Sequence, residues 1–328
     1  MNQVYVCGSY YHIYISILRT LFHKKPESKS LIIIHDHISD LYKIIPLLIE
    51  NNFFDFHLAV PFTSINRTKT NKILRILKRR SLLIERVESL SDILKFEEFI
   101  RNSEITIFNN RGGAYHYFLQ KFKKSHIRLI EDGLGNYRVL VGKFKAFRRK
   151  FISNSVVGAG YDEQVKEILV QFPEKVLEPL KKKAKKLELQ KMQDSLSVTD
   201  RKRILKIFLG NYNLNLSGEK KLILITQPLS EKYFDEATKV KLYNDVLDLY
   251  AGEYSVFIKP HPRDRANYEG KMKYNFTEIP RNFPLEMMNL LQDIQFDLGV
   301  TLYSGALHNM NGVKEKIFLG KEFLEKYR

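Results

Sequence analysis

The residues able to do chemistry in this chain cluster where short apolar runs stop. Ile130 is followed by Glu131, Asp132 and Gly133. Adjacent carboxylates at a strand end repel, which raises the pKa of one of them. A carboxylate so raised suits a general base acting on a hydroxyl. The same residues fit an ordinary Asp-Gly turn with both carboxylates solvated, and the local sequence leaves the two open. A second run, ending Ile258-Lys259, passes into Pro260-His261-Pro262-Arg263. A histidine between prolines cannot lie inside a helix, because each ring restricts the residue before it. With Lys259 and Arg263 beside it, His261 becomes a rigid imidazole in positive surroundings, suited to holding or protonating a phosphate. A rigid surface loop is the plainer reading.

Two more strand ends carry polar groups. Gly299-Val300-Thr301-Leu302-Tyr303-Ser304-Gly305 leads from an apolar run into a helix. Exposed amides and hydroxyls at a helix start bind phosphate, and Ser304 fits a plain N-cap equally well. Ile225-Thr226-Gln227-Pro228-Leu229-Ser230-Glu231 offers Gln227 to a base or sugar, and Glu231 or Asp235 as a site carboxylate. A capped helix start with acidic residues in its first turn explains the same stretch.

Elements that would position these groups follow from periodicity. Val4–Val6, Leu31–Ile34, Phe56–Val60, Ile105–Phe108 and Ile127–Ile130 are short, continuously apolar and rich in β-branched residues. Such runs suit strands buried on both faces. Helical patterns lie between them at His12–Phe22, Ser39–Asn51, Thr70–Arg80 and Tyr115–Lys123. This alternation argues for a doubly wound parallel sheet. From Gly142 to Leu216 the chain reads as helical and strongly basic, with Lys181-Lys182-Lys183-Ala184-Lys185-Lys186 inside it. The βα rhythm resumes at Leu222–Thr226, Val256–Ile258, Ile294–Val300 and Ile317–Leu319. Two α/β halves joined by a helical segment predict a two-domain enzyme, with ligands beyond the carboxyl ends of the strands.

Composition narrows the classes. The 328 residues are 44% hydrophobic, enough for a real core, so a disordered chain is excluded. One cysteine, Cys7, excludes a disulfide scaffold and a cysteine metal site, and a reduced cytoplasmic setting follows as the default. No signal peptide or membrane-spanning run is legible. Asp-x-Asp and His-x-x-x-His motifs are absent, and His35-Asp36-His37 reads as a strand-end loop, so no metal is expected. Lys and Arg outnumber Asp and Glu by 54 to 37, a formal charge of +17. That excess needs a polyanion, a charged substrate, an anionic membrane or simply a solvated face.

Taken together, the stretches Glu131-Asp132-Gly133, Gln227-Pro228-Leu229-Ser230-Glu231, Lys259-Pro260-His261-Pro262-Arg263, Phe283-Pro284-Leu285-Glu286 and Tyr303-Ser304-Gly305-Ala306-Leu307 resemble the bacterial sialyltransferases of glycosyltransferase family 52. Those enzymes build lipooligosaccharide and capsule. The motifs stand in the family's order and span residues 131 to 307. The first 120 residues add only a compatible α/β pattern. The resemblance implies an α/β GT-B fold of two Rossmann-like domains facing each other across a cleft. It places an acceptor-side domain at 1–150, a basic helical connector at 151–216 and a nucleotide-sugar-binding domain at 217–328.

It further implies inverting, metal-independent transfer of sialic acid, or a related nonulosonic acid, from a CMP-activated donor to a sugar hydroxyl, with no cofactor. Asp132 would be the general base with Glu131 as its neighbour. His261 would act on the CMP phosphate as acid or stabiliser. Ser304 would bond the same phosphate, and Lys259, Pro262, Arg263, Gln227 and Gly133 would complete the donor site. Two departures stand out. Gly305 occupies a place where the family commonly has a second hydroxyl, which Thr301 could replace. Lys232 stands where an acidic residue often follows, so Glu231 and Asp235 remain rival bases. The family also includes hexosyltransferases using other nucleotide sugars. A non-catalytic, nucleic-acid-binding α/β protein is the reading from a different class, although no recognised nucleic-acid module is present.

A homodimer is implied by the resemblance alone. The lysine run is read as docking on the inner face of the inner membrane, near a lipid-linked glycan acceptor, at about 1 kcal/mol per basic residue. That reading predicts that lysis in low salt leaves the protein with the membrane fraction, and that raising the salt releases it.

Overall fold

A computed structural model of the chain describes residues 1–38, 40–62, 79–108, 112–132, 135–138, 141–142, 157–212, 214–229, 234–291 and 294–327. The chain forms two compact units, Met1–Arg203 and Ile204–Arg328.

The first unit holds a seven-stranded sheet in the order β3-β2-β1-β4-β5-β6-β7. Its strands are β1 (Asn2–Cys7), β2 (Ser30–His35), β3 (Phe56–Val60), β4 (Ser103–Ile107), β5 (His126–Ile130), β6 (Val165–Val170) and β7 (Ala184–Lys186). Every pairing is parallel. All five apolar runs expected as strands are strands, and β2 is buried along its whole length. The helix Tyr10–Phe22 starts where the Ser9 hydroxyl accepts the His12 N–H at 3.2 Å, a side-chain cap on the first turn. The Ser39–Asn51 pattern resolves into a 3-10 turn, Leu41–Ile44, and a short helix, Ile45–Glu50, with Pro46 in its first turn. Most of Thr70–Arg80 lies outside the described residues; the helix described next is Arg79–Ser89.

The expected helical connector is different in structure. Its segment supplies β6 and β7 to the first sheet, and the compact unit runs on to Arg203. Val165–Val170 (VKEILV) is short and apolar like the other strands, but the neighbouring lysines mask its signal. Lys181–Lys183 close a 3-10 turn and Lys185–Lys186 lie in the edge strand β7. Lysine on an exposed edge opposes pairing with other chains. Part of the positive run is also met internally. Lys183 Nζ donates to the carbonyls of Gly160 and Asp162, Lys185 pairs with Glu167, and Lys181 with Glu178.

The second unit holds a five-stranded sheet in the order β10-β9-β8-β11-β12. Its strands are β8 (Lys221–Ile225), β9 (Ser255–Lys259), β10 (Phe276–Glu278), β11 (Phe296–Thr301) and β12 (Val313–Phe318), again all parallel. Leu222, Leu224, Ile258 and Val300 pack with Leu242, Tyr243, Val246 and Leu247 of the helix Glu236–Tyr250. The register aligns Lys259, Ile225 and Thr301 in one row across β9, β8 and β11. The residues after that row therefore emerge side by side. Among the described residues no helix is long and apolar enough to cross a membrane.

Gly299 shows how tightly this edge is built. A Cβ there would lie 2.7 Å from Leu307 Cδ1 and 2.9 Å from Val313 Cγ1. Gly299→Ala is expected to destabilise the protein by about 1–3 kcal/mol through overpacking, read as a lower midpoint in denaturant unfolding.

Candidate active site

In the second unit, a buried polar network fixes the His-Pro loop. Asp264 is 2% exposed. Its carboxylate accepts from Thr226 Oγ1 at 2.7 Å, Tyr268 Oη at 2.6 Å and the Ala266 N–H at 3.2 Å. Lys239 Nζ, also buried, lies 3.7 Å from it. Thr226 Oγ1 in turn accepts the His261 N–H at 3.2 Å, and the Asp264 N–H donates to the His261 carbonyl at 2.8 Å. Arg281 ties the same loop by donating to the carbonyls of Asp264 and Ala266. The His261 ring accepts the Arg263 N–H on Nδ1 at 3.1 Å. That bond leaves Nε2 as the protonated nitrogen of the neutral ring. Pro262 and Arg263 continue the loop as half-buried and exposed residues.

On the other side of β8, Thr301 is a hub. Its hydroxyl donates to the Ile225 carbonyl at 3.0 Å and accepts from Gln227 Nε2 at 3.4 Å and the Ser304 N–H at 3.3 Å. The Gln227 N–H donates to Tyr243 Oη at 2.7 Å. These bonds join the ends of β8, β9 and β11 into one polar edge carrying His261, Gln227, Ser304 and Gly305.

Four expected roles need correction. Lys259 is buried, and its ammonium donates to the carbonyls of Pro260 at 2.8 Å and Arg281 at 3.3 Å. Burial pushes it down to about 7, so it is a structural group rather than a cation offered to a phosphate. The Thr301 hydroxyl, fully buried, bonds protein partners and does not replace the hydroxyl missing at Gly305. Asp235 caps the helix Glu236–Tyr250 by accepting the Thr238 N–H at 2.8 Å, and that bond holds its carboxyl below the usual range. A low-lying capping carboxylate is a poor base. After Ser304 comes a five-residue 3-10 turn, Gly305–Asn309, and not an α-helix, and Ser304 makes no side-chain cap bond. Any phosphate there would meet single hydroxyl and amide groups without a helix dipole. Glu231 and Gly133 lie outside the described residues.

The first unit carries the acidic edge. Glu131 and Asp132 follow β5 but have different surroundings. Glu131 is 6% exposed, and Tyr137 Oη donates to its carboxylate. Burial pushes its carboxyl above the usual range, partly offset by the bonds from Tyr137 and Gln171. The shift thus arises from burial and not from repulsion by Asp132. The Asp132 side chain is 44% exposed. Its Oδ2 lies 3.3 Å from Nε2 of His12, a residue sequence reasoning read only as the start of a helix. The Gly8-Ser9 turn at the end of β1, which places His12 in the first turn of the helix that follows, was the available signal. Three or more metal-ligating side chains do not cluster among the described residues.

Lys259 makes the polar edge of the second unit sensitive to pH. Its folded value of about 7 lies below the ordinary lysine value of about 10.4, so between those limits the unfolded chain binds more protons. Stability then rises with pH across that window, by on the order of a few kcal/mol. Lys259→Met is expected to flatten the rise, seen by comparing unfolding free energies near pH 7 and about pH 9.5.

Comparison with known proteins agrees with this architecture. The sequence model of glycosyltransferase family 52 matches residues 64–320. An uncharacterised protein of Haemophilus influenzae is 29% identical over 211 residues, 62% of this chain. The match spans 66% of that relative, just under two thirds of its length. A Photobacterium damsela sialyltransferase structure superposes with a TM-score of 0.50 at 14% identity, over 97% of this chain and 74% of that one. The UDP-GlcNAc 2-epimerase of Neisseria meningitidis superposes with a TM-score of 0.49 at 13% identity, over 94% of this chain and 79% of that one. The two parallel α/β units have the GT-B fold. With the family match covering most of its length, the chain belongs to glycosyltransferase family 52.

Proposed function

We propose that this glycosyltransferase moves sialic acid, or a related nonulosonic acid, from a CMP-activated donor to a sugar hydroxyl of a bacterial surface glycan such as lipooligosaccharide or capsule. The observation that carries the reading is the polar edge of the second unit. It pairs a proline-pinned imidazole whose Nδ1 is already bonded with a serine whose hydroxyl caps no helix. Such a pair suits the phosphate of a nucleotide monophosphate leaving group. His261 donates its Nε2 proton to that phosphate or stabilises its charge, and Ser304 adds a neutral donor. Preorganised donors of this kind act without reorganising as charge develops. Gln227 is 6% exposed with its side-chain nitrogen on Thr301, so only its carbonyl oxygen is offered to the nucleotide base or sugar.

Asp132 is the preferred base, because its carboxylate is accessible while Glu131 is enclosed and Asp235 is bound to a helix start. As the acceptor oxygen bonds the anomeric carbon, its proton passes to Asp132. The donor's carbon–oxygen bond breaks with its electron pair remaining on the CMP phosphate. Attack opposite the leaving group inverts the configuration, and no metal is required in this scheme. The nucleotide-sugar donor and glycan acceptor are those any member of the family uses; their CMP and sialyl character belongs to the proposal.

Incubation with CMP-sialic acid and a galactose-terminated acceptor tests the reading by CMP release and product analysis. Wild-type turnover is expected, with His261→Ala and Asp132→Ala each lowering kcat by about 10²–10⁴-fold. Turnover with a hexose nucleotide in place of CMP-sialic acid would overturn the donor, and full activity in both variants would overturn the site.

A further inference from the structure

His12 is held from several directions at the acidic edge. It is 1% exposed. Its Nδ1 accepts the Gly8 N–H at 3.0 Å, so the proton of the neutral ring sits on Nε2. The ring is stacked on Phe108 with centroids 4.4 Å apart and planes 10° from parallel, and Tyr11 meets it edge-on. Gly8 is itself held close: a Cβ there would lie 2.3 Å from His35 Cε1, so the His35 ring occupies the space a larger residue would need. Residues at or just past the ends of β1, β2 and β4 thus all contribute to fixing one imidazole.

The Nε2 atom so fixed makes no aligned hydrogen bond, yet lies 3.3 Å from Asp132 Oδ2. A buried donor left unmet costs about 1–3 kcal/mol. A small rotation of the half-exposed Asp132 side chain would align the pair. Catalytic hydrogen bonds are often long or poorly aligned before substrate binds and tighten afterwards.

We propose that His12 is a positioning residue for Asp132: its Nε2–H holds Oδ2 and so directs the other carboxylate oxygen, Oδ1, toward the acceptor hydroxyl. The proposal rests on the reading of Asp132 as the base. His12 takes no proton in this scheme, since its Nε2 is already protonated. The acceptor proton goes to Oδ1 while Oδ2 stays bonded to the imidazole.

Two measurements test it. In protein with 15N-labelled histidine, the His12 ring is expected as the Nε2–H tautomer, with its Nε2 resonance shifted by Asp132→Asn. An Nδ1–H tautomer, or no response to that substitution, overturns the contact whatever the donor proves to be. In CMP-sialic acid turnover, His12→Phe keeps the stacked ring and removes the donor. It is expected to lower kcat about 10- to 100-fold, below the contribution of the base itself, with the donor KM unchanged. His12→Gln, which restores an N–H, is expected to recover most of the loss. In the Asp132→Asn background neither change should lower kcat further. Equal losses in both backgrounds, or equal losses for Phe and Gln with a lowered melting temperature, mark a structural role and overturn the proposal. Wild-type kcat in His12→Phe, while Asp132→Asn collapses, overturns the role of His12 and leaves the base standing. Wild-type kcat in Asp132→Asn overturns the base itself.

Discussion

Parallel strands all end at the same edge, and the polar backbone groups just beyond that edge have no ladder left to pair with. Each sheet meets this constraint with side chains. Thr226, Thr301 and Asp264 complete the hydrogen bonding past β8, β9 and β11. In the first sheet His12 accepts the Gly8 N–H past β1. The groups that satisfy the edge are therefore the ones that fix its chemistry. His261 takes its backbone position from Thr226 and its ring orientation from Arg263, and neither partner needs to touch a substrate.

Charge at this edge is treated in two ways. Lys239 and Asp264 are both buried within 3.7 Å, an arrangement whose desolvation offsets much of its attraction. Its use is geometric: the Asp264 carboxylate ties Thr226, Tyr268 and the Ala266 amide into one arrangement. Lys259, one strand residue away from the loop, is instead pushed toward neutrality by burial and spends its N–H groups on carbonyls. A lysine next to a proposed phosphate site thus supplies rigidity, and the loop's exposed cations are Arg263 and Arg265.

The acidic edge divides labour between neighbours. Glu131 is enclosed and bonded by Tyr137, while Asp132 faces solvent beside His12. One residue of sequence separates an anchor from an accessible carboxylate, because successive residues leaving a strand point to opposite sides. Lysines that look like a uniform positive run are distributed among a turn, an edge strand and internal partners.

Nine of the twelve described strands, their parallel direction and the identity of the second unit's polar edge were determined by the sequence. Continuous apolar runs can be buried only on two faces, and the Pro-His-Pro constraint is local. The family was legible for the same reason, since its motifs are short stretches whose chemistry travels with them. Burial and long-range partners belong to the tertiary structure alone. The sequence could not separate Glu131 from Asp132, nor show that Lys259 is occupied by carbonyls, Thr301 by a carbonyl and two N–H donors, and Asp235 by a helix start. It hid β6 and β7 behind lysines, because charge pattern reports exposure and not pairing, and the three-residue β10 was too short to read. His12 was invisible as a site residue because its partner lies 120 positions away in the chain, and only the sheet order, with β4 between β1 and β5, brings the two together.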